Sequence, residues 1–135
     1  MKNILVTGGA GYCGSVLIPD LLNKGYKVRV LDKLFFGNPF LSLETNNLEV
    51  VTGDIRDVDV IKSCLSNIDT VIHLACISND ASFELNENLS KTINYDAFEP
   101  LVLAAKNMGV SRFLYVSSSS VYGVSNKKDV KENHP

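Results

Sequence analysis

Three glycines spaced by three, Gly8, Gly11 and Gly14, lie between the apolar runs Ile4-Leu5-Val6 and Val16-Leu17-Ile18. Gly9, Gly11 and Gly14 also satisfy G-x-G-x-x-G, so either register meets the pattern that cradles a dinucleotide pyrophosphate between a strand and a helix. Each glycine in such a loop has its own task. One permits a positive φ, one lets backbone approach a phosphate, and one lets helix and strand pack closely. The helix that follows points its free N–H groups and positive dipole end at the anion. Asp32, 24 positions beyond Gly8, supplies the second element of the pattern: a carboxylate that can accept hydrogen bonds from both hydroxyls of an adenosine ribose. A 2′-phosphate would meet negative charge there. Although Lys33 is adjacent, no arginine directly follows the acid, so the pair favours NAD.

Other residues could join this chemistry. Asp54 and Ile55 follow an apolar run and offer an acid and an apolar neighbour for an adenine, although a plain loop aspartate fits the same pattern. Ser117-Ser118-Ser119-Ser120 places hydroxyls where a substrate oxygen could be hydrogen-bonded while its proton is removed. No G-x-S-x-G elbow is present, which argues against a hydrolase nucleophile. His73 has no second ligand near it and reads as a packed or hydrogen-bonded core residue. Asn94, within a helical pattern, can reach backbone at the ends of neighbouring strands, or be an ordinary polar helix residue. Cys13, Cys64 and Cys76 are widely spaced and form no C-x-x-C, so they read as buried small apolar side chains, with neither disulfide framework nor metal site signalled.

These residues need a scaffold that brings strand ends together. Lys2 to Thr7, Lys27 to Leu31, Leu48 to Val51, Thr70 to Leu74 and Arg112 to Ser117 read as strands, and the first is apolar without alternation, as in a sheet buried on both faces. Tyr12 to Lys24 reads as a helix with an interior Pro19 and a left-handed cap at Gly25. Asp57 to Leu65 forms a second helix. Leu85 to Met108 forms the longest, which Pro100 must kink or restart at a cost of about 3 kcal/mol otherwise. Phe35 to Asn47 reads as a loop with a short helix, and Val124 to Pro135 as a polar, charged segment. Alternating strands and helices imply right-handed crossovers. The predicted fold is α/β: a Rossmann-like, doubly wound parallel sheet of about five strands, ordered 3-2-1-4-5, with helices on both faces.

The 135 residues, 45% hydrophobic and 21% charged, suit one domain with a real core. A net charge of −2 with both signs interspersed gives no nucleic-acid footprint or membrane-surface patch. The apolar runs are strand-sized, and neither a signal peptide nor a spanning helix can be placed, so a cytoplasmic protein is expected.

The ordered pieces resemble the extended short-chain dehydrogenase/reductase superfamily, and within it the NAD-dependent epimerase/dehydratases that act on nucleotide sugars. They are Thr7 to Gly14, Leu31-Asp32, Gly53-Asp54-Ile55-Arg56-Asp57, His73-Leu74-Ala75, Asn94, and Ser117 to Gly123. The resemblance implies that Tyr12 and Cys13 flank the pyrophosphate through backbone and that Asp32 holds the ribose. It further implies that Asp54 and Ile55 hold adenine and that Leu74 and Ala75 line the cofactor. Ser118, four residues before Tyr122, matches the family's catalytic Ser/Thr. Family dehydratases usually carry Asp-Glu directly after that residue, whereas this sequence has Ser119 and Ser120, which tilts the expectation toward an epimerase or reductase.

The family's Tyr-x-x-x-Lys pair is missing. Four residues after Tyr12, Tyr26, Tyr95, Tyr115 and Tyr122 come Val16, Val30, Glu99, Ser119 and Asn126, and Lys127 lies five after Tyr122. The expectation is therefore an NAD-binding Rossmann domain over 1–135, truncated before the catalytic helix and the sugar-nucleotide-binding domain, and inactive alone. The alternative is a free-standing, non-catalytic dinucleotide-binding module or sensor. With the last strand left as a sheet edge, apolar surface should be exposed and the chain should self-associate; the resemblance implies that the corresponding helix contributes to a dimer interface, so a homodimer through Leu85 to Met108 is the first expectation.

Overall fold

The computed structural model describes residues 2–43, 45–78, 80–124 and 130–133. Five strands, β1 (Asn3–Thr7), β2 (Lys27–Asp32), β3 (Leu48–Thr52), β4 (Thr70–His73) and β5 (Arg112–Tyr115), form one parallel sheet in the order β3-β2-β1-β4-β5. The register aligns the strand ends: Thr7 pairs with Leu31 and with His73, Asp32 with Thr52, and His73 with Tyr115. The predicted strand order and class therefore hold, and the carboxyl ends make one continuous edge.

Helices cover both faces, and alternate residues of each strand serve alternate faces. Ile4, Val6, Val28, Val30 and Ile72 pack with Ile18 and Leu21 of α1 (Tyr12–Asn23) and with Phe40. Leu5, Leu31 and Val71 point the other way, into Ile61 and Cys64 of α2 (Val58–Cys64) and Leu101 and Ala105 of α5 (Phe98–Asn107). Lys24 caps α1, with Gly25 beyond it at φ +82°, as the sequence predicts. Asp57 caps α2 by accepting hydrogen bonds from the Asp59 and Val60 N–H groups, a contribution of about 1 kcal/mol.

Three expectations need correction. The segment from Leu85 to Met108 is not one helix. It comprises the end of α3 (Asp80–Leu85), α4 (Glu87–Lys91), a π-helical turn (Thr92–Asp96) and α5. Asn86 makes the first break, because its side chain accepts the Leu89 N–H and caps a new start. Pro100 makes no break where it stands. It lies in the first turn of α5, where its missing N–H costs least, and the π turn just before it has widened the spiral, with Ala97 N–H reaching back to the Thr92 carbonyl.

The described residues between Phe35 and Asn47 form turns without a helix. Gly37 at φ +86°, an Asn38 side chain accepting the Phe40 N–H, and a buried Phe40 hold that loop to its shape. Finally, β5 stops at Tyr115, two residues before the predicted end, because Val116 only reaches the His73 carbonyl at 3.5 Å and the chain then turns into a 3-10 turn at Ser119–Tyr122. Lys127 lies outside the described residues.

Candidate functional site

The glycine loop joins β1 to α1 at the centre of the carboxyl edge. Gly8 has φ +70°, and a Cβ there would lie 2.6 Å from the Ala75 backbone, so the loops after β1 and β4 touch main chain to main chain. The Gly8 N–H donates to the Leu31 carbonyl at 2.8 Å, tying the loop to β2 as well. At Gly14 a Cβ would fall 2.0 Å from the Gly9 carbonyl oxygen, so α1 can start only where it does if this residue is glycine. Gly9 serves the core instead, since its Cβ would press on Val6 and Val30. Gly11 faces open space apart from the Gly8 carbonyl at 3.3 Å, which leaves room for a ligand to approach the backbone.

The N-terminus of α1 suits an anion. Its cap, Gly11, makes no side-chain hydrogen bond, and no acidic residue lies in its first turn. The N–H groups and the positive end of the helix therefore have no side chain assigned to them. The start of α2 differs: there Asp57 and Asp59 neutralise the same end. Tyr12 and Cys13, the first residues of α1, both project to solvent, with Tyr12 93% exposed.

Asp32 ends β2 with its carboxylate oriented by two backbone donors: Ala10 N–H at 3.0 Å on Oδ2 and Leu34 N–H at 2.8 Å on Oδ1. Among the described residues each oxygen carries one hydrogen bond, which leaves each with a lone pair to offer. Leu34 reaches its position at φ +56°, an uncommon conformation for a branched side chain, and the bond to Asp32 helps to hold it.

Asp54 lies beyond β3 on the same edge. Arg56 clasps it, with Nη2 donating to Oδ2 at 2.6 Å and Nε and the backbone N–H donating to Oδ1 at 3.0 and 2.9 Å, while Lys33 Nζ lies 3.4 Å from Oδ2. The Arg56 guanidinium holds the Asp54 carboxyl well below the usual carboxylate range. Arg56 Nη1 also donates to Thr92 Oγ1 at 3.1 Å, joining this loop to the π turn. Ile55, next in sequence, is buried in the core between the sheet and α2.

On the other side of the glycine loop, Leu74 and Ala75 are half-buried, and the Leu74 N–H donates to the Thr7 carbonyl. Asn94 sits in the π turn and is bonded to one residue on both sides of its amide: it accepts the Ile77 N–H at 2.8 Å and donates to the Ile77 carbonyl at 2.9 Å. This is the backbone-reaching role anticipated for it, and it fixes the loop after β4. His73 is buried, with Nδ1 2.6 Å from Thr7 Oγ1 and its ring against Phe98, Phe113 and Tyr115, as expected of a core histidine. Burial pushes its pKa down. Ser117 and Ser118 are exposed on irregular chain beyond β5, at the far end of the edge from Asp54.

The cysteines require a correction. Cys64 is buried, but Cys13 and Cys76 are exposed, because Cys13 stands on the first turn of α1 and Cys76 on the loop after β4, at the rim of this edge and not on core faces. Partial burial and the neighbouring Cys13 still raise the Cys76 thiol. Sequence reasoning passed over the roles of Lys33 and Arg56. The available signal was their placement, one residue after Asp32 and two after Asp54. Among the described residues no group of three or more His, Cys, Asp or Glu side chains could hold a metal ion.

An α/β sheet with a glycine cradle, an open helix N-terminus and an acid at the end of β2 defines a dinucleotide-binding protein. The residues present fit the pyrophosphate and ribose of such a ligand. Residues 4–135 match the NAD dependent epimerase/dehydratase family, and the chain belongs to it.

Among relatives, the 3 beta-hydroxysteroid dehydrogenase/Delta 5-4-isomerase of Mycobacterium tuberculosis is 38% identical over 125 residues, 90% of this chain and 33% of the relative. Human dTDP-D-glucose 4,6-dehydratase is 35% identical over 143 aligned residues, covering 99% of this chain and 41% of the relative. Among solved structures, the dTDP-glucose 4,6-dehydratase DesIV from Streptomyces venezuelae, with NAD and TYD bound, is similar with a TM-score of 0.90 and 29% identity. The alignment covers 99% of this chain and 45% of DesIV. An epimerase from Methanothermobacter thermautotrophicus is similar with a TM-score of 0.89 and 34% identity, over 98% of this chain and 40% of that one. The chain thus spans between a third and just under half of the length of these proteins. No helix among the described residues is long and apolar enough to cross a membrane.

Proposed function

We propose that this chain is the NAD-binding part of a nucleotide-sugar epimerase- or reductase-like oxidoreductase. The observation that carries the reading is the glycine cradle. Gly8 against the Ala75 backbone and Gly14 against the Gly9 carbonyl leave no space for side chains, and they set an uncapped helix end beside Asp32. In this reading Gly8, Gly11 and Gly14 and the backbone of Tyr12 and Cys13 receive the pyrophosphate. Asp32 takes the ribose hydroxyls, and Asp54 and Ile55 take the adenine. Leu74 and Ala75 line the cleft, which Asn94 braces through Ile77. Ser117 and Ser118 stand toward the nicotinamide and substrate end, with Ser118 as the catalytic hydroxyl. Bound there, the nicotinamide ring would take up and return hydride. Asp32 favours NAD over NADP, because a 2′-phosphate would meet its carboxylate.

The sugar-nucleotide class is supported by family membership and by relatives such as the human dehydratase. Ser119 and Ser120, where family dehydratases carry an acidic pair, support epimerase or reductase chemistry over elimination. A Tyr-x-x-x-Lys pair and a sugar-binding domain, neither of them within these 135 residues, would complete catalysis from further chain. Titration calorimetry with NAD+ and NADP+ tests the reading. The expected result is binding of NAD+ in preference to NADP+, with Asp32→Ala weakening NAD+ tenfold or more, on the order of one to two charge-assisted hydrogen bonds. Binding of neither dinucleotide would sink it.

A further inference from the structure

A carboxylate has about four acceptor directions, two on each oxygen; at Asp54 three receive hydrogen bonds and the fourth faces a cation. Oδ1 receives the Arg56 backbone N–H and Nε, and Oδ2 receives Arg56 Nη2 and faces the Lys33 ammonium at 3.4 Å. The two cations are not equivalent. Arg56 is bidentate, short-bonded and anchored from behind by Thr92. Lys33 makes one long contact from a half-exposed side chain, and from that same position its ammonium lies 5.7 Å from the centre of the Phe35 ring, whose face can retain it once the contact to Asp54 is given up. Asp32, one residue before Lys33, keeps acceptor capacity on both oxygens; the capacity left on Asp54 Oδ2 is the direction that Lys33 faces.

We propose that Lys33 is a specificity-determining residue of the base subsite: its ammonium holds the acceptor direction of Asp54 that an exocyclic amino group must take, and it withdraws over Phe35 when such a base arrives. The inference rests on the reading above, in which Asp54 receives adenine. A base with an amino group at that position replaces one donor with another and leaves the carboxylate satisfied. A base with a carbonyl there turns an acceptor toward an acceptor, and only Lys33, staying between the two oxygens, relieves the repulsion. Lys33 therefore competes with adenine and assists hypoxanthine, so it narrows the discrimination between them.

The test is calorimetric titration of wild-type protein, Lys33→Met and Lys33→Arg with NAD+ and with nicotinamide hypoxanthine dinucleotide. Lost attraction between Lys33 and the pyrophosphate affects both ligands alike, so the affinity ratio is the readout. Lys33→Met should widen the ratio in favour of NAD+ about two- to fivefold, the weight of one exposed ion pair. Lys33→Arg, which keeps the cation, should leave the ratio near that of wild type. A ratio unchanged or narrowed in Lys33→Met overturns the inference while leaving the dinucleotide site standing. Absence of binding of either ligand to wild-type protein overturns that site and the inference with it.

Discussion

The sheet has two edges, and they are finished differently. At β3, loop residue Phe40 is buried in the cluster that β3 borders, and Glu49 pairs with Arg29 at 2.7 Å. Arg29 in turn donates to the Cys64 and Ser66 carbonyls at 2.7 and 3.0 Å, closing the end of α2 onto the sheet. At β5 Phe113 and the Tyr115 ring lie against His73 and Phe98, yet Tyr115 remains 54% exposed, and Leu114 and Val116 on the other face are 44% and 60% exposed. The site shares this asymmetry. Asp32 and Asp54, toward β3, are oriented by short hydrogen bonds, whereas Ser117 and Ser118 follow β5 on exposed chain. In the proposed reading, the tightly bonded residues toward β3 face the adenosine and the exposed serines beyond β5 face the nicotinamide.

The largest test compares two glycines with positive φ. Gly8→Ala must both adopt φ +70° and place a methyl group 2.6 Å from the Ala75 backbone, which cannot move without shifting β4. Gly123→Ala, beyond β5, has φ +63° but, among the described residues, nothing within 4 Å. Urea unfolding should show a loss of about 3 kcal/mol or more for the first, from overpacking added to backbone strain. The second should lose about 1 kcal/mol, from strain alone. Equal losses would mean that the meeting of the loops after β1 and β4 is no more tightly built than the chain beyond β5.

Next in size is Arg29→Met, which keeps much of the buried stem but removes the donors to two carbonyls and to Glu49. A loss of about 1–3 kcal/mol is expected in the same measurement. A neutral result would reduce the closed edge to packing alone.

The packed face of β5 contributes a pH dependence. Burial lowers the pKa of His73 below its ordinary value. Between the unfolded value, about 6.5, and the lower folded one, the unfolded chain holds the extra proton. Stability is therefore complete above about pH 7 and falls as pH drops below 6.5, by at most about 1.4 kcal/mol per pH unit. Unfolding curves between pH 5 and 8 should show this slope in wild-type protein and lose it in His73→Asn, which keeps a polar partner for Thr7. An unchanged slope in the variant would place the titrating group elsewhere.

How much of this could be read from the sequence follows the range of the interactions. Local signals translated well: the glycine spacing, the apolar first strand, Gly25 past α1, and Asp57 ahead of α2. Competition between neighbours was harder to read. Asn86 capping α4 ended one helical pattern early, and the π turn absorbed the disturbance that Pro100 announced. The loop from Phe35 to Asn47 looks polar, yet one buried aromatic, Phe40, dictates its path. Least legible were properties created by loops meeting. Lys33, after β2, reaches Asp54, after β3, and Cys13 on the first turn of α1 and Cys76 on the loop after β4 are exposed at one rim. No periodicity within one segment encodes such meetings.

The smallest effect on stability, and the sharpest on the comparison, concerns self-association. Two apolar surfaces are available for it: the outer face of β5, with Leu114 and Val116, and the helical segment carrying Leu85, Leu89, Leu103 and Met108, all exposed. An uncovered apolar strand edge invites pairing, and a single lysine on it is an effective deterrent. Leu114→Lys and Leu103→Lys each replace an exposed side chain, so each should change stability by no more than about 0.5 kcal/mol. Sedimentation velocity across a range of concentrations should then separate the surfaces. If β5 is the open edge, Leu114→Lys shifts the population to monomer and Leu103→Lys does not. The reverse result moves the contact to the helices, as the family resemblance implied. A wild-type protein that stays monomeric at every concentration refutes both, and the open edge would then be tolerated by virtue of its shortness, four residues from Arg112 to Tyr115.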